Sequence, residues 1–345
     1  MKGVAQQATI TVIDHTGTRV QVPRKPQRIV VASALQLPAI LTIFFDLAPH
    51  LIAVPQASWV AAQQGFLGQQ YPELLNARTD FSEGYRLDVA AIQNLKPDLV
   101  FYDADTLEHQ QQLQAAGLTA VGLSSSLWQY DAVQTLDEAI NWLAQLFQPN
   151  AKVDIVRQAT AKSLQHVQAR VQGLTAAQRQ RVFFLFRYDA HELFTSGAQF
   201  FGQYWAQAVG ARNVAETHQE NGWVATDLAE IATWQPQKML LTNFTKAQPE
   251  ALYQNQIGTD DWTSLAAVQH RQVYKMPLCS YRSFAPGVDN PLTLLWLAQT
   301  IYPDLFAELD LLAVTADYYQ RLYHVTLTTA QLQTMYHPTS AASAF

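Results

Sequence analysis

Residues 149–173 constrain this chain more than any other stretch, because they separate two halves that repeat one another. After Pro149, the residues Val153, Val156, Thr160, Leu164, Val167 and Val171 recur at steps of three and four. That spacing lines one face of an α-helix. Asn150 is placed to cap its start and Gly173 to end it. At 1.5 Å per residue, about 22 helical residues reach roughly 33 Å, the width of a small domain. Periodicity alone fits an ordinary core helix equally well; the flanking sequence favours a rigid strut between two lobes.

The flanks share a grammar. In the first half, Ile10 to Val22 alternates around Asp14-His15-Thr16-Gly17, the pattern of a hairpin and its turn. Short strands follow at Arg28 to Ala32 and Leu51 to Val54, with a helix from Leu37 to Leu47 between them. The segment from Asp88 leads through Pro97 into the strand Leu99 to Tyr102. In the second half, Asp227 leads through Pro236 into the strand Met239 to Thr242, and in both the Asp precedes the Pro by nine positions. Leu113 to Val121 parallels Leu265 to Val273, each spanning eight positions. Two such pairs in one order imply two similar lobes of βα units, hence parallel sheets. The expected fold class is α/β: two Rossmann-like lobes with parallel central sheets joined by one long helix. The lobes span residues 1–148 and 174–345, with a helical, frayed tail at the end.

Composition narrows the function. A chain of 345 residues supports two cores, and 49% hydrophobic with 14% charged residues is neither disordered nor fibrous. No apolar run reaches the roughly 18 to 20 residues that cross a bilayer. A formal charge of −6 without a basic run argues against a nucleic-acid partner. One cysteine, Cys279, excludes an internal disulfide and an iron–sulfur cluster held by this chain alone. Residues 1–7 lack the basic and apolar segments of a signal peptide, so either the protein is cytoplasmic or a leader has been removed.

Ligands of open α/β sheets bind beyond the carboxyl ends of the strands. In the first half the loops there offer Ser33, Trp59, Tyr102, Asp103, Asp105, Ser124, Trp128 and Tyr130, with Arg86 just before the Asp88 helix. In the second they offer Arg187, Tyr188, His191, Asn243, Tyr281, Arg282 and Phe284, with Trp223 ahead of the matching helix. Arg supplies a forked cationic donor, while Tyr and Trp supply flat apolar walls with one polar tip. That inventory suits an anionic or oxygen-rich organic ligand. With 8 Trp, 14 Tyr and 16 Phe, many rings reach loops by chance, so three arginines among 22 basic residues are the stronger signal. No dinucleotide fingerprint, phosphate-binding loop, nucleophile elbow or zinc-protease motif occurs. His191 is the one histidine placed to ligate a metal, and Asn243-Phe244-Thr245 is a formal glycosylation sequon of little weight.

These residues resemble a family: the ABC-transporter substrate-binding proteins that capture ferric siderophores, haem or cobalamin, with the class III architecture. The resemblance runs from Val12 to Pro23 and Pro26-Gln27-Arg28-Ile29-Val30, through Leu95-Lys96-Pro97-Asp98-Leu99-Val100, to Trp262-Thr263-Ser264-Leu265 and Tyr302-Pro303. It implies ligand contacts at Arg86, Tyr102, Trp223 and Tyr281. It also implies one acidic docking residue per lobe for the permease. Glu73 fits in the first lobe; the second-lobe position reads Gly210-Ala211-Arg212-Asn213, which either removes the second acidic contact or moves it to Glu216.

The expected function is the substrate-binding component of an ABC importer. It would carry an iron-siderophore or related metal chelate to the permease and its ATPase as a monomer without intrinsic cofactor. Arg86, Arg187 and Arg282 would offset the chelate's charge. The protein would lie outside the cytoplasmic membrane, periplasmic or as an anchored lipoprotein. Within the class, the rivals are haem, with His191 or a cleft Tyr as axial ligand, cobalamin, or a nickel or cobalt ion chelated by histidine. From another class, a sugar-nucleotide transferase would share the α/β halves.

Overall fold

The computed structural model describes residues 8–343, apart from 85 and 189–191. The chain opens with the antiparallel hairpin Thr9–Ile13 and Arg19–Pro23. Its turn closes on Asp14, a buried carboxylate. One Asp14 oxygen accepts the N–H groups of Thr16 and Thr18 at 3.0 Å. The other accepts the Gly122 N–H at 2.9 Å, which pins the hairpin to the first lobe.

Four short strands form that lobe's sheet in the order Leu51–Ala53, Ile29–Val31, Leu99–Asp103 and Ala120–Leu123, all parallel. They are buried on both faces, which is why they read as unbroken apolar runs. The second sheet has six strands and is mixed. Arg181–Tyr188, Lys238–Leu241 and Val273–Lys275 run parallel, while Leu193–Ser196 pairs antiparallel with both Arg181–Tyr188 and Trp223–Thr226.

The internal repeat extends to individual hydrogen bonds. Asp88 and Asp227 cap the helices Val89–Asn94 and Leu228–Trp234 through the N–H of the third residue on, at 2.9 and 2.8 Å. Lys96 and Gln235, eight residues after each cap, take left-handed conformations at φ 50° and 49°. Arg28 and Arg181, which lead into each lobe's central strands, reach the carbonyls of those two residues through Nε at 3.1 and 3.0 Å. One geometry is thus built twice.

Between the lobes runs the helix Lys152–Val171, about 30 Å long at 1.5 Å per residue. Val153, Val156, Thr160, Val167 and Val171 are buried against the helices Asn290–Ile301 and Leu311–Tyr323. Asn150, the expected cap, stands one residue before the observed cap position, Ala151. Its Oδ1 accepts the Lys152 N–H at 3.0 Å, and its Nδ2 donates to the Ile43 carbonyl at 2.9 Å, fastening the strut to the first lobe. At the far end Gly210, at φ 73°, lies against Val171, where a Cβ would come within 2.8 Å of the valine side chain. The expected frayed tail is corrected. Ser340–Ser343 forms a 3-10 turn with Ala342 and Ser343 buried, packed on the helix Gln56–Gln64. Among the described residues, no helix is long and apolar enough to cross a membrane.

Candidate functional site

A cavity of about 230 Å³ lies at the carboxyl ends of Ile29–Val31 and Leu51–Ala53, lined in part by Ser33, Leu35, Gln56, Ala57, Ser82 and Glu83. Gln56 and Ala57 are the first two residues of the helix Gln56–Gln64, so the positive end of its dipole faces the cavity. Ser33 is held rigid, its Oγ accepting the Asp103 N–H at 3.0 Å and lying 2.9 Å from His109 Nδ1. Burial, and then the charge of Asp105, push the Asp103 carboxyl up to about 7. Asp105 accepts the hydroxyls of Ser124 and Ser126 at 2.7 and 2.8 Å and so fixes the loop beyond the last strand.

The second lobe meets this floor through the loop that follows Val273–Lys275. Tyr281 donates its hydroxyl to the Leu35 carbonyl at 2.7 Å, and Ser58 Oγ reaches the same oxygen at 2.6 Å. Arg282 is 1% exposed. Its Nη2 donates to the Ala57 carbonyl at 3.0 Å, and its guanidinium lies 4.5 Å above the Phe244 ring. A buried cation therefore sits directly behind the cavity wall.

Asp289 shapes the loop that carries these two residues. Its carboxylate accepts the N–H groups of Ser280 and Tyr281 at 2.8 and 3.1 Å and the Tyr319 hydroxyl at 3.0 Å. Burial raises it to about 6. Lys275 ends the preceding strand, buried, with Nζ donating to the carbonyls of Thr242, Thr245 and Ala247 at 2.9, 2.6 and 3.0 Å. Burial, and then the charge of Arg282, lower it to about 7. Asn243 bridges the two loops, its Nδ2 donating to the Met276 and Pro277 carbonyls, so its sequon is buried.

Aromatic rings form the adjoining wall. Trp223, 36% exposed, stacks on Phe186 at 5.3 Å and 16°. Phe200, Phe244 and Phe284 surround Phe186 at 5.1, 5.0 and 5.6 Å. Tyr130 crosses from the first lobe to meet Phe200 and Phe201 edge-on at 5.2 and 5.0 Å.

Of the residues expected in the cleft, Tyr281, Arg282, Trp223, Tyr130 and Phe284 come together, with Ser33, Asp103 and Asp105 on the facing floor. Others are corrected. Tyr102 is fully buried within its strand, on the face shared with Val100, and its hydroxyl points to Asp14 at 3.4 Å. Tyr188 turns into the second lobe's core, edge-on to Trp262, with its hydroxyl on Asp260 at 2.9 Å. Trp59 lies within the helix Gln56–Gln64 and donates Nε1 to the Leu75 carbonyl at 3.0 Å. Arg86 stands at the mouth, mostly exposed, paired with Glu83 at 3.2 Å. Arg187 lies over the Phe194 ring at 5.9 Å, and His191 falls outside the described residues. Glu73 is exposed on the 3-10 turn Pro72–Asn76, whereas Glu216 is bound by Arg212 at 2.6 Å. Sequence reasoning missed Phe244, Lys275 and Asp289. The one legible signal was a lysine ending an apolar strand.

Comparisons with known proteins agree with this geometry. The family described as periplasmic binding protein matches residues 41–278. The molybdate-binding protein MolA of Haemophilus influenzae is 23% identical, covering 80% of this chain and 79% of its own. Its molybdate-bound structure superposes with a TM-score of 0.73, covering 92% and 99% of the two chains. A periplasmic solute-binding protein from Veillonella parvula reaches 0.74 at 22% identity, covering 96% and 97%. Helicobacter pylori CeuE, in complex with nickel and histidine, reaches 0.72 at 18% identity, covering 94% and 98%. With its two α/β lobes and single connecting helix, the chain belongs to the periplasmic binding protein family and has the class III fold.

Proposed function

We propose that this protein captures a compact, anionic, metal-containing solute, a metal oxyanion or a small metal chelate, in the cleft beside Ala57. The carrying observation is Arg282, a buried guanidinium that crosses from the second lobe to the first at the wall of the cavity. A cation behind the wall gives the cavity a positive potential that favours an anionic solute. Lys275 adds a second buried basic group, its pKa lowered first by burial and then by the neighbouring charge of Arg282. The dipole of the helix Gln56–Gln64 adds positive charge from the first lobe. A volume of about 230 Å³ falls below the roughly 300 to 1,000 Å³ of pockets for larger organic ligands, which favours a compact ligand over haem or cobalamin.

A second reading, a ferric siderophore, draws on the aromatic wall. Trp223 offers an exposed face at the rim, where a chelate's organic shell would lie once the lobes part. In either case the lobes, taken as residues 1–148 and 174–345, would rock on the 149–173 strut by a small angle. Glu73 would dock on the permease, and Glu216 would do so only after leaving Arg212. The protein would work outside the cytoplasmic membrane, either free in the periplasm or lipid-anchored.

Calorimetric titration with molybdate, tungstate, nickel with histidine, ferric hydroxamate and haemin separates the readings. Saturation by the compact ligands supports the first and saturation by ferric hydroxamate the second. No saturation by any of them contradicts both.

A further inference from the structure

The near-repeat of the two lobes supplies an internal control for a second cavity, on the side of the second sheet away from the cleft. It measures about 590 Å³ and lies at the amino ends of Arg181–Tyr188, Lys238–Leu241 and Val273–Lys275. Its lining includes Arg181, Lys238 and His270, together with Gln235, Gln237 and Gln272, and none of the lining residues is acidic. That is unusual in a chain of net charge −6.

Lys238 is the telling residue. It is 8% exposed, and its Nζ donates to one neutral acceptor, Gln272 Oε1, at 2.8 Å, while lying 5.3 Å from the Tyr274 ring centre. Three ammonium donors thus meet one hydrogen-bond acceptor and one π face. Burial lowers its pKa. The first lobe does without this arrangement. Leu99 pairs there with Ile29 where Lys238 pairs with Val182, and it is wholly buried apolar core. The preceding position differs too. Asp98 accepts the backbone N–H of Arg28 at 3.0 Å, and Gln237 accepts that of Arg181 at 2.9 Å. The fold therefore accepts leucine and aspartate at these two positions. The second lobe instead carries a lysine and a neutral amide and keeps the arginine; with Gln235 standing where the first lobe has Lys96, the positions Gln235, Gln237 and Lys238 together carry one more positive charge than Lys96, Asp98 and Leu99. Glu250 lies nearby in sequence to no effect, since it is held by Arg271 at 2.9 Å.

We propose that this cavity binds a phosphate-bearing anion, with Lys238 and Arg181 as the cations, His270 at the rim and the glutamine amides as neutral donors. The site is independent of the cleft and of the ligand assigned there.

The test restores the first lobe's residues. Wild-type protein, Lys238→Leu and Gln237→Asp are titrated at low ionic strength with inorganic phosphate and glycerol phosphate, and pelleted with phosphatidylglycerol vesicles. Melting curves and cleft-ligand titrations run alongside. Saturable binding by wild type that weakens at least about tenfold in both variants, with cleft binding retained, is the expected result. Binding to vesicles alone, lost in the variants, supports the same recognition with a lipid headgroup as its source. If Lys238→Leu does not fold, Gln237→Asp carries the comparison. Equal binding by wild type and variants, or no saturable binding in any arm, overturns the proposal.

Discussion

The Tyr281 hydroxyl of the second lobe donates to the Leu35 carbonyl of the first at 2.7 Å. This bond spans the cleft at the carboxyl end of the central strand Ile29–Val31, so it ties closure of the lobes to the position of the ligand-facing loop. Tyr281→Phe removes the bond while keeping the ring, and Ser58 Oγ still satisfies the carbonyl. A net hydrogen bond contributes about 1 kcal/mol, so affinity for the cleft ligand should fall severalfold, mainly through faster release. Stopped-flow dissociation checks this; an unchanged release rate would mean that the bond does not report closure.

Asp289 should give the protein an acid-side stability signature. Its folded value, about 6, lies above the ordinary 3.8 because the group is buried. The folded protein therefore keeps a proton that the unfolded chain has released. This contribution to stability is complete below about pH 4 and is lost as pH rises through about 6. Asp289→Asn cannot titrate, so the stability gap between wild type and variant should change between pH 4 and 6 and be flat above 7. Denaturant melts across that range measure it; parallel curves would assign the titration elsewhere.

Lys275 acts with the opposite sign. Burial lowers it from 10.5 to about 7, so between those values the unfolded chain holds a proton that the folded protein has released. Stability rises with pH across this window, and the cost of the buried charge is fully present below about 7. Lys275→Met deletes the titration and also the donors to the surrounding carbonyls, three for the charged ammonium and two for the neutral amine present at pH 9. The variant should be less stable by about 2 to 3 kcal/mol at pH 9 and by a smaller margin at pH 7. An equal margin at both would contradict the assigned shift.

Arg86 should matter little at equilibrium. Its partner Glu83 lines the cavity mouth, and both side chains are largely exposed, a setting in which ion pairs contribute about 0 to 1 kcal/mol. Arg86→Ala leaves Glu83 uncompensated in the path of an incoming anion. Affinity should drop about two- to threefold at low salt, with the loss vanishing as ionic strength rises. A large, salt-independent loss would instead place Arg86 on the ligand.

Much of the fold was legible because the repeat is written in local signals. Asp88 and Asp227 are helix caps whose spacing to Pro97 and Pro236 survives in both lobes, and caps act within one helical turn. The mixed character of the second sheet was not legible, since Leu193–Ser196 and Trp223–Thr226 pair through a long-range antiparallel register that no local pattern encodes. Tyr102 and Tyr188 were misplaced for one physical reason. In a strand buried on both faces, apolar residues do not alternate with polar ones, so nothing in sequence says which face a tyrosine takes. Arg282 was legible as a loop arginine. Its burial, and its contact with Ala57 some 225 positions away, were not.

The most direct measurement is titration of wild type and Arg282→Met with molybdate, nickel with histidine and ferric hydroxamate, alongside melting curves. A buried charged hydrogen bond contributes about 1.5 to 3 kcal/mol, so the variant should bind at least about tenfold more weakly while remaining folded. Equal affinity in a folded Arg282→Met, or saturation by none of these ligands, would contradict an anion site at the meeting of the two lobes.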